Sequence, residues 1–181
     1  MTSYLNLHSI IENTDSHIKK RQSEIRRGCK QVSIDACFIQ DWLPLSTNRF
    51  PSAFGYSRYG AYMVKHIKDT EFNNIAYVGN GVISQRRKRI KDVFRNGGKA
   101  VVSKNGSSSD CRVASKMFQE DSNLDNWLYY YIKVPKIDLN PNSIYWTDEG
   151  ETAEKFYVEQ MERSLHEKFQ PRYNLEGLIA K

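Results

Sequence analysis

Cysteine is scarce in this sequence, with three residues among 181, and no two cysteines form a Cys-x-x-Cys pair or a cluster with histidine. Structural zinc sites depend on such spacings, so no zinc site is expected. Few and widely separated thiols are typical of a reducing compartment. Cys29, Cys37 and Cys111 are therefore interpreted as small buried side chains.

Long apolar runs are missing as well. No stretch approaches the roughly 20 residues that cross a bilayer, and residues 1–13 lack the basic and apolar segments of a secretory signal. A soluble, cytoplasmic protein without membrane contact is expected. The hydrophobic fraction of 39% allows a core, and 181 residues suit one compact domain with an extension or two very small domains.

Acidic residues are outnumbered by basic ones, 21 against 27, which leaves a formal net charge of +6. Such a charge favours a polyanionic partner, because each neutralised phosphate releases counterions, although many proteins carry it for solubility alone. The most basic stretch, residues 17–30, has Glu24 as its one acid. It predicts a helix that is either a solvated surface or a phosphate-contacting arm formed by Lys19, Lys20, Arg21, Arg26 and Arg27.

The N-terminal extension, residues 1–58, ends in a stretch rich in aromatic residues and proline. Pro44 and Pro51 disfavour a continuous helix or a central strand. Residues 36–58 are therefore predicted to be an irregular linker whose aromatic side chains pack onto the domain that follows, residues 59–181.

That domain opens with a predicted hairpin. Residues 60–66 indicate a strand with Tyr62 and Val64 on one face, and residues 75–78 indicate a second strand that Gly79 and Gly81 end. A basic helix over residues 83–95 follows. Its apolar stripe at helical spacing consists of Ile83, Ile90, Val93 and Phe94.

The rest of the domain is also predicted to mix strands and helices. Residues 100–102 suggest a short strand, residues 105–110 an exposed polar loop, and residues 110–119 a helix. Residues 126–134 give the clearest strand. A last helix from residue 147 or 148 to about residue 169 has an apolar stripe made of Tyr157, Met161, Leu165 and Phe169. The predicted fold is α+β, a small three-stranded antiparallel sheet flanked by helices.

The order of these elements, together with five short motifs, resembles the GIY-YIG nuclease family. The motifs are Gly60-Ala61-Tyr62 on the first strand, Tyr77-Val78-Gly79 on the second, Arg89-Ile90 on the basic helix, Glu162 on the last helix, and Pro171-x-x-Asn174 after it. The match covers roughly residues 59 to 176. It departs from the family where Ala61 replaces an isoleucine, where the hairpin loop is longer, where the arginine lies two residues late, and where Val93 stands in place of a tyrosine or histidine.

The resemblance implies a DNA endonuclease of the compact restriction or phage type that needs one Mg²⁺ or Mn²⁺ ion per active site. Glu162 is then the metal ligand, because a carboxylate holds a hard cation that keeps most of its waters. The resemblance assigns Tyr62 and Tyr77 a role as general base or water-positioning group with a depressed pKa. Asn174 orients site groups by hydrogen bonds. Glu154, Glu159 and His66 are weaker candidates.

An arginine is expected at the scissile phosphate, where its planar fork suits the charge. Arg89 is favoured, because it lies at the edge of the apolar stripe, about 100° from Ile90. Arg86 falls inside the stripe and is the second choice. Nonspecific contacts to double-stranded DNA are expected from Arg86, Arg87, Lys88 and Lys91.

The sequence leaves two questions open, how a nuclease with one active site would cut both strands and whether the fold has kept catalysis. One module supplies one active site, so double-strand cleavage needs a homodimer or two sequential nicks. The other possibility is a nucleic-acid-binding module of the same fold that has lost catalysis.

Overall fold

The computed structural model describes residues 37–48, 50–51, 53–71, 74–100, 109–136 and 146–174. The predicted basic arm and the greater part of the short strand predicted at residues 100–102 lie outside these ranges. The elements are β1 Phe38–Pro44, β2 Tyr56–His66, β3 Tyr77–Val82, α1 Ile83–Arg95, α2 Ser109–Glu120, β4 Trp127–Pro135 and α3 Trp146–Phe169, with a single 3₁₀ turn Leu124–Asn126 before β4.

The fold is α+β, as predicted, but the antiparallel sheet has four strands in the order β1-β4-β2-β3 instead of three. The additional strand, β1, pairs with β4 from Phe38 opposite Lys133 to Pro44 opposite Leu128. The irregular structure predicted for residues 38–44 is therefore wrong. Pro44 is tolerated because it ends a strand at the edge of the sheet, where a missing N–H breaks no ladder.

Packing of the N-terminal aromatic residues onto the sheet is confirmed. The ring centroid of Trp42 lies 5.2 Å from that of Tyr130, and the ring of Phe50 stacks on Tyr131 at 5.6 Å. These contacts explain why the chain before residue 59 joins the sheet, since each buried aromatic side chain removes a large apolar area from water.

Strand β3 runs through both of the glycines that were predicted to end it. A Cβ on Gly79 would lie 2.6 Å from the hydroxyl of Tyr62, and a Cβ on Gly81, whose φ is +128°, would lie 2.4 Å from Nε of Arg86. Glycine at these positions gives space to a tyrosine and an arginine on the same face of the sheet. The Tyr-Val-Gly motif is thus explained by close approach rather than by a turn.

Two hydrophobic cores form, one on each face of the sheet. Helices α1 and α2 cover the face that carries Tyr62 and Tyr77, and α3 covers the opposite face. Both predicted helical stripes are buried, Ile83, Ile90, Val93 and Phe94 in the first core and Tyr157, Met161, Leu165 and Phe169 in the second. Cys37 and Cys111 are also buried. Within the described ranges, none of the helices combines the length and apolar character that a membrane crossing requires.

Candidate active site

An open cleft of about 250 Å³ lies at the free edge of β3, between helices α1 and α3. No loop separates β3 from α1, because Val82 is the last residue of the strand and Ile83 is the first residue of the helix. The basic side of α1 therefore lies next to the edge of β3. Asn80 and Gly81 of the strand line the cleft together with Arg86 and Arg89 of α1 and Lys155 and Glu159 of α3.

Positive charge dominates this cleft. Arg86, Arg89 and Lys155 face it against one acid, Glu159. The Arg89 side chain is 46% exposed, and Nζ of Lys155 lies 3.1 Å from Oε1 of Glu151 on the same helix. A cleft with an excess of cations concentrates anionic groups such as phosphates.

Asp110, in the first turn of α2, is the centre of a buried cluster behind the α1 wall. Its carboxylate accepts hydrogen bonds from Nη1 of Arg86 at 2.7 Å, from the hydroxyl of Tyr62 at 2.5 Å and from that of Tyr77 at 3.1 Å. Nη1 of Arg89 lies 3.8 Å away. The Asp110 side chain is 2% exposed, so the exposed loop predicted to extend to residue 110 is wrong there. The buried ion pair fixes how α1 sits against α2.

Tyr62 and Tyr77 share a face of the sheet, as predicted, with ring centroids 5.8 Å apart. Both residues are buried. Burial, together with the negative charge of Asp110 and the neighbouring phenols, raises the pKa of Tyr62 well above its ordinary value. The expectation of a depressed pKa is therefore wrong for Tyr62. Its hydroxyl donates a proton to a hydrogen bond with a carboxylate and is poorly suited to act as a base.

The basic side chains of α1 separate into two flanks. Arg86 and Arg89 face the cleft. Burial opposes the charge of Arg86, but the attraction and the hydrogen bond of Asp110 raise its pKa. On the other flank, the guanidinium carbon of Arg87 lies 3.7 Å from the ring centroid of Phe50.

Lys91 and Lys88 differ in a way that the sequence did not indicate. Lys91 is buried, and its Nζ donates to the backbone oxygen of Ser46 at 3.0 Å. A contact of Lys91 with DNA needs an accessible ammonium group, so this prediction is corrected. Lys88 is exposed to solvent.

Glu162 lies on α3, which covers the face of the sheet opposite Tyr62 and Tyr77. It is one helical turn beyond the cleft residues Val158 and Glu159. Its carboxylate accepts a hydrogen bond from Nδ2 of Asn80, which brings it to the β3 edge. Nε2 of His166 is 3.8 Å from the carboxylate, whose side chain is 24% exposed. Within the ranges that the structure describes, no three His, Cys, Asp or Glu side chains form a metal cage. A single accessible carboxylate beside an amide does match the oxygen ligands of a cation that keeps most of its water.

Asn174 is bound to the outer edge of β3. Its Oδ1 accepts the backbone N–H of Val78 at 3.0 Å, and its Nδ2 donates to the carbonyl of Val78 at 2.8 Å. These two bonds fix the orientation of the amide, so the remaining Nδ2 hydrogen donates to Nε2 of His166 at 3.0 Å. Asn174 therefore connects β3 to the residue that neighbours Glu162.

The predicted catalytic residues thus fall into two groups that meet at the β3 edge. Tyr62, Tyr77 and Arg89 gather around Asp110, whereas Glu162 and Asn174 lie with Asn80 and His166 on the α3 side. Asp110, Asn80 and Lys155 are site residues that could not be named from the sequence.

The weaker candidates are distributed differently. Glu154 is buried and accepts a hydrogen bond from the hydroxyl of Ser57 at 2.5 Å. Nε2 of His66 lies 3.0 Å from Oδ2 of Asp121. His66 is the last residue of β2, whereas the Gly60-Ala61-Tyr62 motif lies near the middle of that strand. Glu159 alone among them lines the cleft.

Comparison of the chain with models of protein families, with curated proteins and with solved structures finds no match.

Proposed function

We propose that this chain is a divalent-metal-dependent endonuclease that hydrolyses phosphodiester bonds of DNA, with its active site in the β3 cleft. One observation carries the proposal. An accessible guanidinium, Arg89, and an accessible carboxylate, Glu162, come from the two helices that flank a single strand edge. Metal-assisted phosphodiester hydrolysis can use these two groups, one for the phosphate charge and one for a hard cation.

In this proposal Arg89 binds the scissile phosphate. Arg86 is already paired with Asp110 at 2.7 Å, whereas the closest approach of Arg89 to that carboxylate is 3.8 Å. Arg89 therefore keeps most of its donors for a ligand. Its fork can donate two parallel hydrogen bonds to non-bridging oxygens, which stabilises the charge that grows as water attacks phosphorus. Lys155 on the opposite wall adds a second positive charge.

Glu162 would hold the cation, and the Asn80 amide keeps its carboxylate at the strand edge. When bound, a divalent ion polarises a phosphate oxygen and lowers the pKa of a coordinated water. The bonds of Asn174 to Val78 hold the strand that carries Asn80. Asn174 and Asn80 are thus positioning residues in the proposal.

Tyr62 and Tyr77 are also positioning residues in the proposed site. Their hydroxyls donate to Asp110. Hydrogen bonds to a buried carboxylate keep it in one orientation, and that orientation directs Arg86. In the proposed step, water attacks phosphorus as the P–O3′ bond breaks, the proton of that water passes to solvent, and the leaving oxygen takes a proton from solvent, so no phenolate is needed.

A second function is favoured by one observation, because the hydroxyl of Tyr62 is buried and bonded to Asp110. A module that binds nucleic acid without cutting it would tolerate such a tyrosine. Incubation with supercoiled plasmid and Mg²⁺ or Mn²⁺ separates the two. The nuclease proposal expects nicked and then linear DNA, and no cleavage in EDTA. Intact plasmid with retained DNA binding would favour the binding module.

A further inference from the structure

Four aromatic side chains form a continuous row on the α1 side of the sheet, and we call them the aromatic row: Phe50, Tyr131, Phe38 and Tyr56. The rings of Phe50 and Tyr131 stack at 5.6 Å, those of Tyr131 and Phe38 lie 6.0 Å apart, and those of Phe38 and Tyr56 lie 5.6 Å apart. Phe50, Phe38 and Tyr56 are partly exposed. Phe38 and Tyr56 therefore expose part of their rings at the surface, whereas the ring of Phe50 already stacks against Arg87 and Tyr131.

Positive charge accompanies the aromatic row. Arg87 stacks on Phe50 with its guanidinium carbon 3.7 Å from the ring centroid. Lys133 lies two residues beyond Tyr131 on the same strand, so it projects on the same face. Burial lowers the pKa of Lys133, and burial is also the main cause that lowers the pKa of Arg87. The groups that shift these two pKa values include no carboxylate of the described part of the chain.

Several polar groups beside the row have no hydrogen-bond partner among the residues that the structure describes. They are Nε and Nη2 of Arg87 and the hydroxyl of Tyr129, all buried. An unmet buried donor costs free energy, and a ligand with acceptor oxygens or nitrogens would recover it. Phe54, two residues before Tyr56 in the sequence, is 96% exposed.

We propose that the aromatic row binds unpaired bases of DNA, with Arg87 and Lys133 contacting the strand that carries them. Flat π faces next to cations that lack acidic partners match single-stranded nucleic acid, because bases stack on aromatic rings whatever their sequence and phosphates bind the cations. Arg86 and Arg89 face the cleft from one flank of α1, and Arg87 faces the row from the other. The inference rests on the proposed function, and it makes duplex DNA with an adjoining single-stranded segment the substrate class.

Binding in EDTA tests the inference without cleavage. Three fluorescent ligands suffice: a blunt duplex, the same duplex with an overhang of about six thymidines, and that duplex with an abasic overhang of the same length. The thymidine overhang should tighten binding about tenfold over the blunt duplex, and the abasic overhang should lose most of this gain because it keeps phosphates but no bases. Equal affinity for the two overhangs, or no gain over the blunt duplex, overturns the inference.

Variants assign the effect to the row. Tyr56→Leu retains apolar volume and removes a partly exposed ring, so it should lose most of the thymidine gain and bind the blunt duplex as before. Tyr56→Phe, which keeps the ring, should keep the gain. Lys88→Ala, at an exposed position of α1, is the matched control and should weaken binding of all three ligands alike. A Tyr56→Leu variant that folds and retains the full gain contradicts the assignment, and if it does not fold, the abasic comparison on the unaltered protein decides. Plasmid cleavage without an overhang gain sinks this inference and leaves the nuclease proposal standing.

Discussion

The buried carboxylate of Asp110 on α2 accepts hydrogen bonds from two phenol hydroxyls, one on β2 and one on β3, and from a guanidinium on α1. A buried carboxylate needs hydrogen-bond donors and an opposite charge of this kind, because an unpaired buried charge costs several kcal/mol. The same bonds occupy Arg86 and leave Arg89 at the cleft. The choice between the two arginines therefore depends on a residue that neither is near in sequence.

Asp110→Asn should destabilise the protein by about 3 kcal/mol, because it leaves the partly buried Arg86 without its counter-charge. Urea denaturation measures the change. Asp92→Asn is the matched control, since Asp92 pairs with Arg95 one turn away in an exposed position and should cost about 0.5 kcal/mol or less. Similar losses for both variants would show that Asp110 is an ordinary surface acid.

Arg89→Ala should lower the single-turnover cleavage rate about 100-fold at saturating enzyme, because it removes a contact to the transition state. Lys88→Ala should cost affinity alone, and lower salt or more enzyme should restore its rate. A loss in Arg86→Ala or Arg87→Ala that excess enzyme does not restore, with Arg89→Ala near normal, would contradict the assignment of the phosphate contact.

The wheel geometry of α1 placed Arg89 at the edge of the apolar stripe, and its side chain is 46% exposed there. The partner of Arg86 was not predictable, because Asp110 follows a polar stretch of sequence. Its partners lie 24, 33 and 48 positions earlier in the chain. An isolated acid at the start of a helix after a strongly basic one is the single signal in the sequence. Asn80 had no signal at all, since its contact with Glu162 spans 82 positions.

At the scale of elements, β3 is an edge strand whose outer side is partly covered by the chain that follows α3. The backbone N–H groups of Arg172 and Tyr173 donate to the carbonyls of Ile75 and Ala76, and Asn174 continues the pattern with its side chain. An edge held in this way is covered up to Val78 and open at Asn80. The cleft begins where the cover ends.

Asn174→Ala should lower stability by about 1–3 kcal/mol, because the N–H and C=O of Val78 lose their partners. The amide of Val78 should exchange faster with solvent, and the cleavage rate should fall with little change in KM. Asn174→Asp keeps the acceptor for the N–H but places a carboxylate oxygen against the carbonyl of Val78, so it should be no more stable than Asn174→Ala. Unchanged exchange at Val78 in Asn174→Ala would refute the positioning role.

Periodicity predicted the helices that bury one face, and the apolar stripes of α1 and α3 were enough to identify both of them. Strand β2 was identified over residues 60–66 although it is buried on both faces. Periodicity failed for β1, because a short edge strand with a proline carries the same composition as a loop. It also failed for the length of β3, because Gly79 and Gly81 look like strand ends when the side chains that approach them are not known.

At the scale of the whole molecule, part of the excess of basic residues lies on α1 and at the edge of the cleft. The two flanks of α1 put this charge on either side of one element, with the cleft on one side and the aromatic row on the other. Burial of Lys91 shows that composition alone overstates the charge that can reach a ligand.

The basic arm predicted from the sequence lies outside the described residues, and it remains a prediction about the full chain. Replacing Lys19, Lys20, Arg26 and Arg27 by Ala should weaken binding to all DNA sequences alike. The slope of log affinity against log salt should decrease by about 0.9 for each phosphate that the variant no longer neutralises. An unchanged slope would mean that these side chains are only solvated. Gel-shift or anisotropy titrations over a range of salt concentrations measure it.

The most direct measurement compares Glu162→Gln with Glu159→Gln in single-turnover cleavage and in DNA binding. Glutamine keeps the shape of each side chain and removes the charge that holds a divalent ion. Glu162 contacts Asn80 at the strand edge, whereas Glu159 lines the cleft wall as a matched acid one turn earlier. We predict that Glu162→Gln abolishes cleavage with binding retained and that Glu159→Gln stays within a few-fold of the unaltered protein. Full activity in Glu162→Gln, or activity of the unaltered protein that EDTA does not reduce, would contradict the assignment of Glu162 as the metal ligand.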